Sequence, residues 1–266
     1  MPNFSAIANH LANRAWALAP GARSSLWGKD VRLVAHRGAH GPDAAVENTL
    51  EAFQLCADIG AWAVETDIHL TRDGEPVIHH DPDCGRLFGR PDLTIAATDF
   101  STLRAAIPEI PHLQEVIERF AGTLHLMLEV KESWRDRPDY PQRIAAVLAG
   151  LEPERDYHLL SLVPDHLEGF RHIPKSAFVD VAWMNAGAII RQNLLLEHGG
   201  VAGSFALLGR KRLAQLRAAG RKIGTGFVEN EGALRREVHR AADWIFTDRI
   251  LQMQALVNRE QQGGRT

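Results

Sequence analysis

The sequence predicts a (β/α)8 barrel of the TIM type, with a short lid segment after the second strand, and three observations predict it. Short β-like runs alternate with longer helix-like runs almost from one end of the chain to the other. Eight such units in about 235 residues suit a closed barrel better than an open sheet. Charged side chains gather at the ends of the early strands, where barrels keep their chemistry.

The strand-like runs fall at 31–35, 63–70, 125–130, 157–161, 177–182, 202–206, 222–228 and 244–246, those at Tyr157 and Ala202 being the weakest signals. Helix-like stretches lie between them. The first, 47–59, carries Leu50, Phe53 and Ala57 on one side, and 113–120 follows a proline suited to a first turn. The series continues at 143–151, 165–172, 189–198, 210–219 and 231–241. Strands separated by helices imply a parallel sheet. No repeat, low-complexity tract or linker divides the chain, so 1–266 is read as one barrel domain with 1–30 as a helical N-terminal extension. In that extension Phe4, Ile7, Ala8, Leu11, Ala15 and Leu18 form an apolar stripe at helical spacing. The stripe is expected to close the barrel floor. The alternative is a membrane-surface or dimer helix, but Arg14 as its only Lys or Arg does not make the basic face of an interfacial helix.

Composition narrows the function classes. An apolar share of 45% allows a sizeable core, and a net charge of −3 leaves no basic footprint for a nucleic-acid partner. Two cysteines, Cys56 and Cys84, make no disulfide framework and fit a reducing compartment. No run approaches the roughly 18 apolar residues of a membrane span, and polar residues interrupt any leader-like core near the start. The expectation is a cytoplasmic protein without stable membrane association, with homo-oligomerisation left open.

The chemistry concentrates in four places. Val34-Ala35-His36-Arg37-Gly38 ends the first strand: His36 can move a proton near neutral pH, and Arg37 can clamp a phosphate oxygen. Alone, this pair is weak evidence, and a surface His-Arg turn is the better reading of it. On the second strand, period-two alternation puts Glu65, Asp67 and His69 on one face. Two inward carboxylates need a metal or strong cationic partners, and an all-oxygen set favours Mg2+ or Ca2+ over zinc. A buried salt bridge to Arg37 is the competing account, and His69 is read as a packed histidine. The third strand repeats the pattern with Glu129 and Lys131: the first can complete a three-carboxylate metal site, the second can neutralise building phosphate charge. Between these strands lies Pro76-Val77-Ile78-His79-His80-Asp81, where alternation does not decide which histidine faces the site.

Together, His36-Arg37-Gly38, Glu47-Asn48-Thr49, Glu65-Thr66-Asp67, His80-Asp81 and Glu129-Val130-Lys131 resemble, in order and spacing, the glycerophosphodiester phosphodiesterase family. The likeness continues through Arg86, Pro111-His112-Leu113-Gln114-Glu115-Val116 and Thr247-Asp248, covering about residues 31–250. It implies a divalent ion, Mg2+ or Ca2+, held by Glu65, Asp67 and Glu129, with His36 and His80 as acid and base. It also implies substrate contacts from Arg37, Lys131 and Phe227, and hydrolysis of a glycerophosphodiester to glycerol 3-phosphate and an alcohol. The chain departs from the pattern at Val46, Cys84 and Glu229, and its lid, 82–110, is short, which leads us to expect weak selectivity for the alcohol. Two other readings stay open: a phospholipase D-like enzyme acting on lysophospholipids, and a non-catalytic phosphate-binding barrel.

Overall fold

Alternation of strand and helix closes into a cylinder. The computed structural model describes residues 4–263. In chain order, its elements begin with α1 (Phe4–Trp16), β1 (Leu33–His36), α2 (Leu50–Asp58) and β2 (Ala63–Leu70). An insertion follows, made of β3 (Pro76–Ile78), β4 (Asp83–Cys84), α3 (Gly85–Phe88), β5 (Arg90–Thr94) and α4 (Phe100–Ala106). Then come α5 (Leu113–Phe120), β6 (His125–Val130), α6 (Tyr140–Val147), β7 (Tyr157–Ser161), α7 (Pro164–Leu167), β8 (Phe178–Ala182) and α8 (Ala186–Leu196). The chain finishes with β9 (Gly200–Ser204), α9 (Arg210–Ala218), β10 (Lys222–Gly226), α10 (Glu231–His239), β11 (Trp244–Thr247) and α11 (Ile250–Gly263).

Eight parallel strands pair in the order β1-β11-β10-β9-β8-β7-β6-β2, and β2 pairs back to β1. The fold is therefore the expected (β/α)8 barrel. Two apolar layers hold it. Val34, Ala63, Met127, Leu160, Val179, Ala202, Trp244 and Phe246 form one cluster, contributed by seven of the barrel strands. A larger cluster unites barrel strands with α2, α5 and α11, and includes Phe53, Phe120, Leu126, Leu159 and Leu256. The insertion carries its own small core of Val77, Cys84, Leu93, Ile95, Leu103, Ile107 and Ile110, so much of its apolar surface serves to seat it.

Helix boundaries shift by up to five residues from the sequence reading, the largest shift being at α7, and β9 starts two residues early. The strand begins with the second of the two glycines at 199 and 200. A Cβ on Gly199 would lie 1.9 Å from the Ser176 carbonyl oxygen, so a glycine there lets two backbones touch.

The floor is not closed by α1. Aromatic rings of the barrel and its edge fill it instead: Trp62 stacks on His125 at 4.5 Å, and His158 packs against Trp244 at 4.8 Å. His125 Nε2 and His158 Nδ1 share a hydrogen bond of 2.8 Å. Burial pushes both rings below the usual imidazole range, to about 4 and about 3, so both are neutral there. Helix α1 lies beyond the opposite end, against the segment that follows β10. Its buried face is the polar one, centred on Asn13, whereas Ile7, Leu11 and Leu18 are exposed. The Phe4 side chain lies outside the described residues.

A buried ionic knot ties β8 to the helical layer. The His198 ring, fully buried, has Nδ1 2.8 Å from Asp180 Oδ1 and Nε2 2.9 Å from Glu168 Oε1. Both nitrogens face carboxylate oxygens, so both bonds form only in the imidazolium. Burial lowers its affinity for the proton, but Asp180 and Glu168 outweigh burial and hold the pKa above the ordinary value. This stabilisation is complete below the unfolded value of about 6.5 and is lost as pH rises through the folded one. Denaturant titrations should therefore show stability falling as pH rises above about 6.5, with a smaller fall in His198→Gln.

Candidate active site

Register builds the site. In the β1–β2 pair His36 stands beside Glu65, and in the β2–β6 pair Asp67 stands beside Glu129. Three adjacent strands thus place a histidine and three carboxylates near their C-terminal ends, with Lys131 one residue past β6. Ligand oxygens of Glu65, Asp67 and Glu129 lie within 4.8 Å of one another. Lys131 Nζ is 2.7 Å from Asp67 Oδ1 and 2.6 Å from Glu129 Oε1. Arg37 gives NH1 to Glu47 at 2.8 Å. Its Nε lies 3.6 Å from Asp67 and is buried, with no hydrogen-bond partner among the described residues. The salt bridge from Arg37 to the second-strand carboxylates is thus present, at 3.6 Å from Asp67, beside the closer Arg37–Glu47 pair.

The electrostatics are those of crowded acids. Burial, then the charges of Asp67 and Glu129, push Glu65 well above the usual carboxylate range. Burial acts the same way on Asp67, but Lys131 and Arg37 outweigh it and hold Asp67 at about 2. A small all-oxygen donor set whose members destabilise one another's charge fits a hard divalent cation.

Each candidate acid/base histidine has a carboxylate on Nδ1. Asp248 Oδ1, just past β11, is 2.7 Å from His36 Nδ1, and His36 Nε2 is 3.8 Å from Glu65 Oε2. His80 Nδ1 is 2.7 Å from Asp81 Oδ1. Asp81 in turn accepts from Arg86 Nε at 2.6 Å, and Arg86 also reaches Glu47. These arrangements leave Nε2 as the free working atom of each ring. Burial is the largest influence on His80 and takes its pKa below the ordinary value. His79, the other member of the pair, is buried, with Nε2 3.1 Å from the Asp83 carbonyl oxygen. His69 is likewise a packed residue, its Nε2 3.3 Å from the His80 carbonyl oxygen.

The loop after β1 is shaped to support these groups. Arg37 and Asn48 both adopt left-handed backbone, at φ 56° and 59°. Gly38 follows at φ 83°, where a Cβ would also lie 2.8 Å from that of Ala52. Asn48 donates to Asp67 Oδ2 at 2.8 Å and accepts from Thr66 Oγ1 at 2.6 Å, all buried. It is a positioning residue for Asp67 that sequence reasoning quoted only as part of a motif. Asn48→Ala should strand two buried polar groups and cost about 2–6 kcal/mol, at about 1–3 kcal/mol for each, measurable by denaturant unfolding. Glu47, which holds Arg37, and Asp248, which holds His36, are likewise assigned partners only by the fold. Phe227 packs its ring 4.6 Å from that of His36. Glu229 turns toward α1. Cys84 is fully buried, and burial pushes its thiol up to about 11, so it is a packed residue and not a reactive thiolate.

Fold and site define a class first: a (β/α)8 barrel with an acid-, histidine- and cation-lined centre at the C-terminal ends of its strands. Within that class, residues 36–157 match the model of the Glycerophosphoryl diester phosphodiesterase family. A putative glycerophosphodiester phosphodiesterase, YhdW, of Bacillus subtilis is 32% identical over 111 residues, 37% of this chain and 44% of that protein. The human lysophospholipase D GDPD1 is 35% identical over 106 residues, 34% of this chain and 33% of that one. The matched region thus spans less than half the length of these curated relatives. Among solved structures, an Oleispira antarctica phosphodiesterase in complex with the product sn-glycerol-3-phosphate superposes with a TM-score of 0.71 at 24% identity. That alignment covers 85% of this chain and 96% of that one, and supports the barrel fold.

Proposed function

We propose that this protein hydrolyses glycerophosphodiesters to glycerol 3-phosphate and an alcohol. The observation that carries the reading is the pairing of a three-carboxylate cluster with two carboxylate-oriented histidines on one barrel rim. Glu65, Asp67 and Glu129 would hold a divalent cation, Mg2+ or Ca2+, which when bound supplies Lewis-acid polarisation of the phosphoryl oxygens. Arg37, whose buried Nε has no hydrogen-bond partner among the described residues, and Lys131 bind the phosphate oxygens. His80, neutral at pH 7, accepts the proton of the attacking hydroxyl or water at Nε2. His36, its Nδ1 on Asp248, delivers a proton from Nε2 to the leaving alkoxide. Phe227 walls the histidine side of the site. We place the reaction in the cytoplasm; no described helix is long and apolar enough to cross a membrane.

A second reading, hydrolysis of lysophospholipids, is favoured by one observation. The stripe of α1 is exposed at Ile7 and Leu11, beside the segment carrying Phe227, and Trp183 and Met184 are exposed just past β8. One panel separates the two. Glycerophosphocholine, glycerophosphoethanolamine and glycerophosphoglycerol should give kcat/KM values within about 1–3 kcal/mol of one another, because the short insertion keeps little apolar surface free to grip a head group. A preference for lysophosphatidylcholine by orders of magnitude would replace the first reading with the second. Release of glycerol 3-phosphate from none of them would remove both.

A further inference from the structure

We propose that helix α1 is a working part of the active site, with Asn13 as a positioning residue that seats Phe227 against His36. This rests on the phosphodiesterase reading for its kinetic consequence, but its geometry stands apart from it.

The segment after β10 is gripped by side chains from one helical face more than 200 residues away in sequence. Asn13 Nδ2 donates to the Phe227 carbonyl oxygen at 2.9 Å, and Asn13 Oδ1 accepts from the Glu229 backbone N–H at 2.8 Å. A single side-chain amide thus pairs with the backbone as a neighbouring strand would. Asn9 Nδ2 adds a donation to Glu229 Oε1 at 2.6 Å, and His10 Nδ1 lies 3.1 Å from Glu229 Oε2. Asn13 is fully buried, so its amide has no water to fall back on. The helix is anchored independently one turn on. Trp16 Nε1 donates to Glu237 at 2.7 Å, and its ring packs against Phe205 at 5.1 Å.

Phe227 gains its placement from this grip. Its ring lies 4.6 Å from the His36 ring, tilted by 54°, and covers a face that Asp248, bonded in the ring plane, leaves open. Asp248 fixes one edge of the imidazole; Phe227 limits its swing and excludes water. Glu229, unusual for its position in the family pattern, is explained by the same contact: it faces Asn9 and His10 and serves the helix.

The test is a double-mutant cycle in the full-length protein. A displacement of about 1 Å at a reacting group can cost about 10²-fold in rate. Accordingly Asn13→Ala should lower kcat on glycerophosphocholine about 10-fold with little change in KM, and in a Phe227→Ala background its effect should fall to about two-fold or less. Asn13→Asp, which keeps the acceptor for Glu229 N–H but opposes a carboxylate to the Phe227 carbonyl, should behave like Asn13→Ala. A readout independent of turnover accompanies the rates. In protein carrying 13C-labelled histidine, the His36 ring resonance should lose the ring-current shift of Phe227 in Asn13→Ala as it does in Phe227→Ala. Equal losses of kcat in both backgrounds, or an unmoved His36 resonance, would overturn the proposal. An inactive parent protein would overturn the functional reading instead, and the resonance would still decide the positioning role.

Discussion

His80→Ala and His36→Ala should each lower kcat by about 10²–10⁴-fold, the usual contribution of a positioned acid or base, while the melting transition stays near that of the parent. The two halves of this expectation have separate causes. His80 lies beyond the end of its strand, partly exposed, and its Nδ1 partner Asp81 is independently held by Arg86, so removing the imidazole leaves a partnered carboxylate. His36 is similarly partly exposed, and its partner Asp248 is near a second imidazole, His40, at 3.7 Å. Neither deletion opens a sealed cavity or strands a buried charge, the usual origins of a large loss of stability. Near-parental kcat in either variant, measured on glycerophosphocholine across pH, would remove that histidine from its role.

Stripping divalent ions should abolish turnover, and restoring Mg2+ or Ca2+ should recover it together with a rise in thermal stability. A cation that binds only the folded protein stabilises it by about 2.7 kcal/mol at a hundred times its dissociation constant. Here the gain has a visible source. Glu65 is buried between two other carboxylates, and its charge is held off by burial and by theirs. Glu65→Gln keeps the shape and removes that charge. The variant should lose most of the metal-dependent stabilisation, and may be compared with the parent by melting in chelator and in excess metal. Full activity in excess chelator would dismiss the assignment.

Most of the barrel was legible because its strands are buried on both faces and read as apolar runs. Strands β2, β6 and β7 fall on the expected residues. The carboxylates were legible for the opposite reason: Glu65, Asp67 and Glu129 interrupt such runs, and a period of two assigns their face. What escaped the sequence was long-range pairing. Nothing local marks Asp248 as the partner of His36, or Asn48 as the support of Asp67, because each depends on which strand becomes a neighbour. Helix α1 was misplaced for a related reason. Its stripe of Ile7, Leu11 and Leu18 carries the usual signal of a buried face, yet the seat at the rim offers carbonyl and N–H groups, and Asn9 and Asn13 satisfy them. Hydrogen-bonding demand outranked apolar periodicity there.

Closure of β1 onto β11 also sets a schedule for the nascent chain. His36 and Asp248 are 212 residues apart, and at about 5–20 residues per second a ribosome separates them by roughly 10–40 s. During that interval β1 presents one open edge, as does whichever strand has emerged last, and an unpaired parallel edge invites association with another chain. The His36–Asp248 pair forms in the same event that removes this hazard. A polypeptide released before residue 248 would lack that pair and keep the open edge, a natural client for chaperones and proteases.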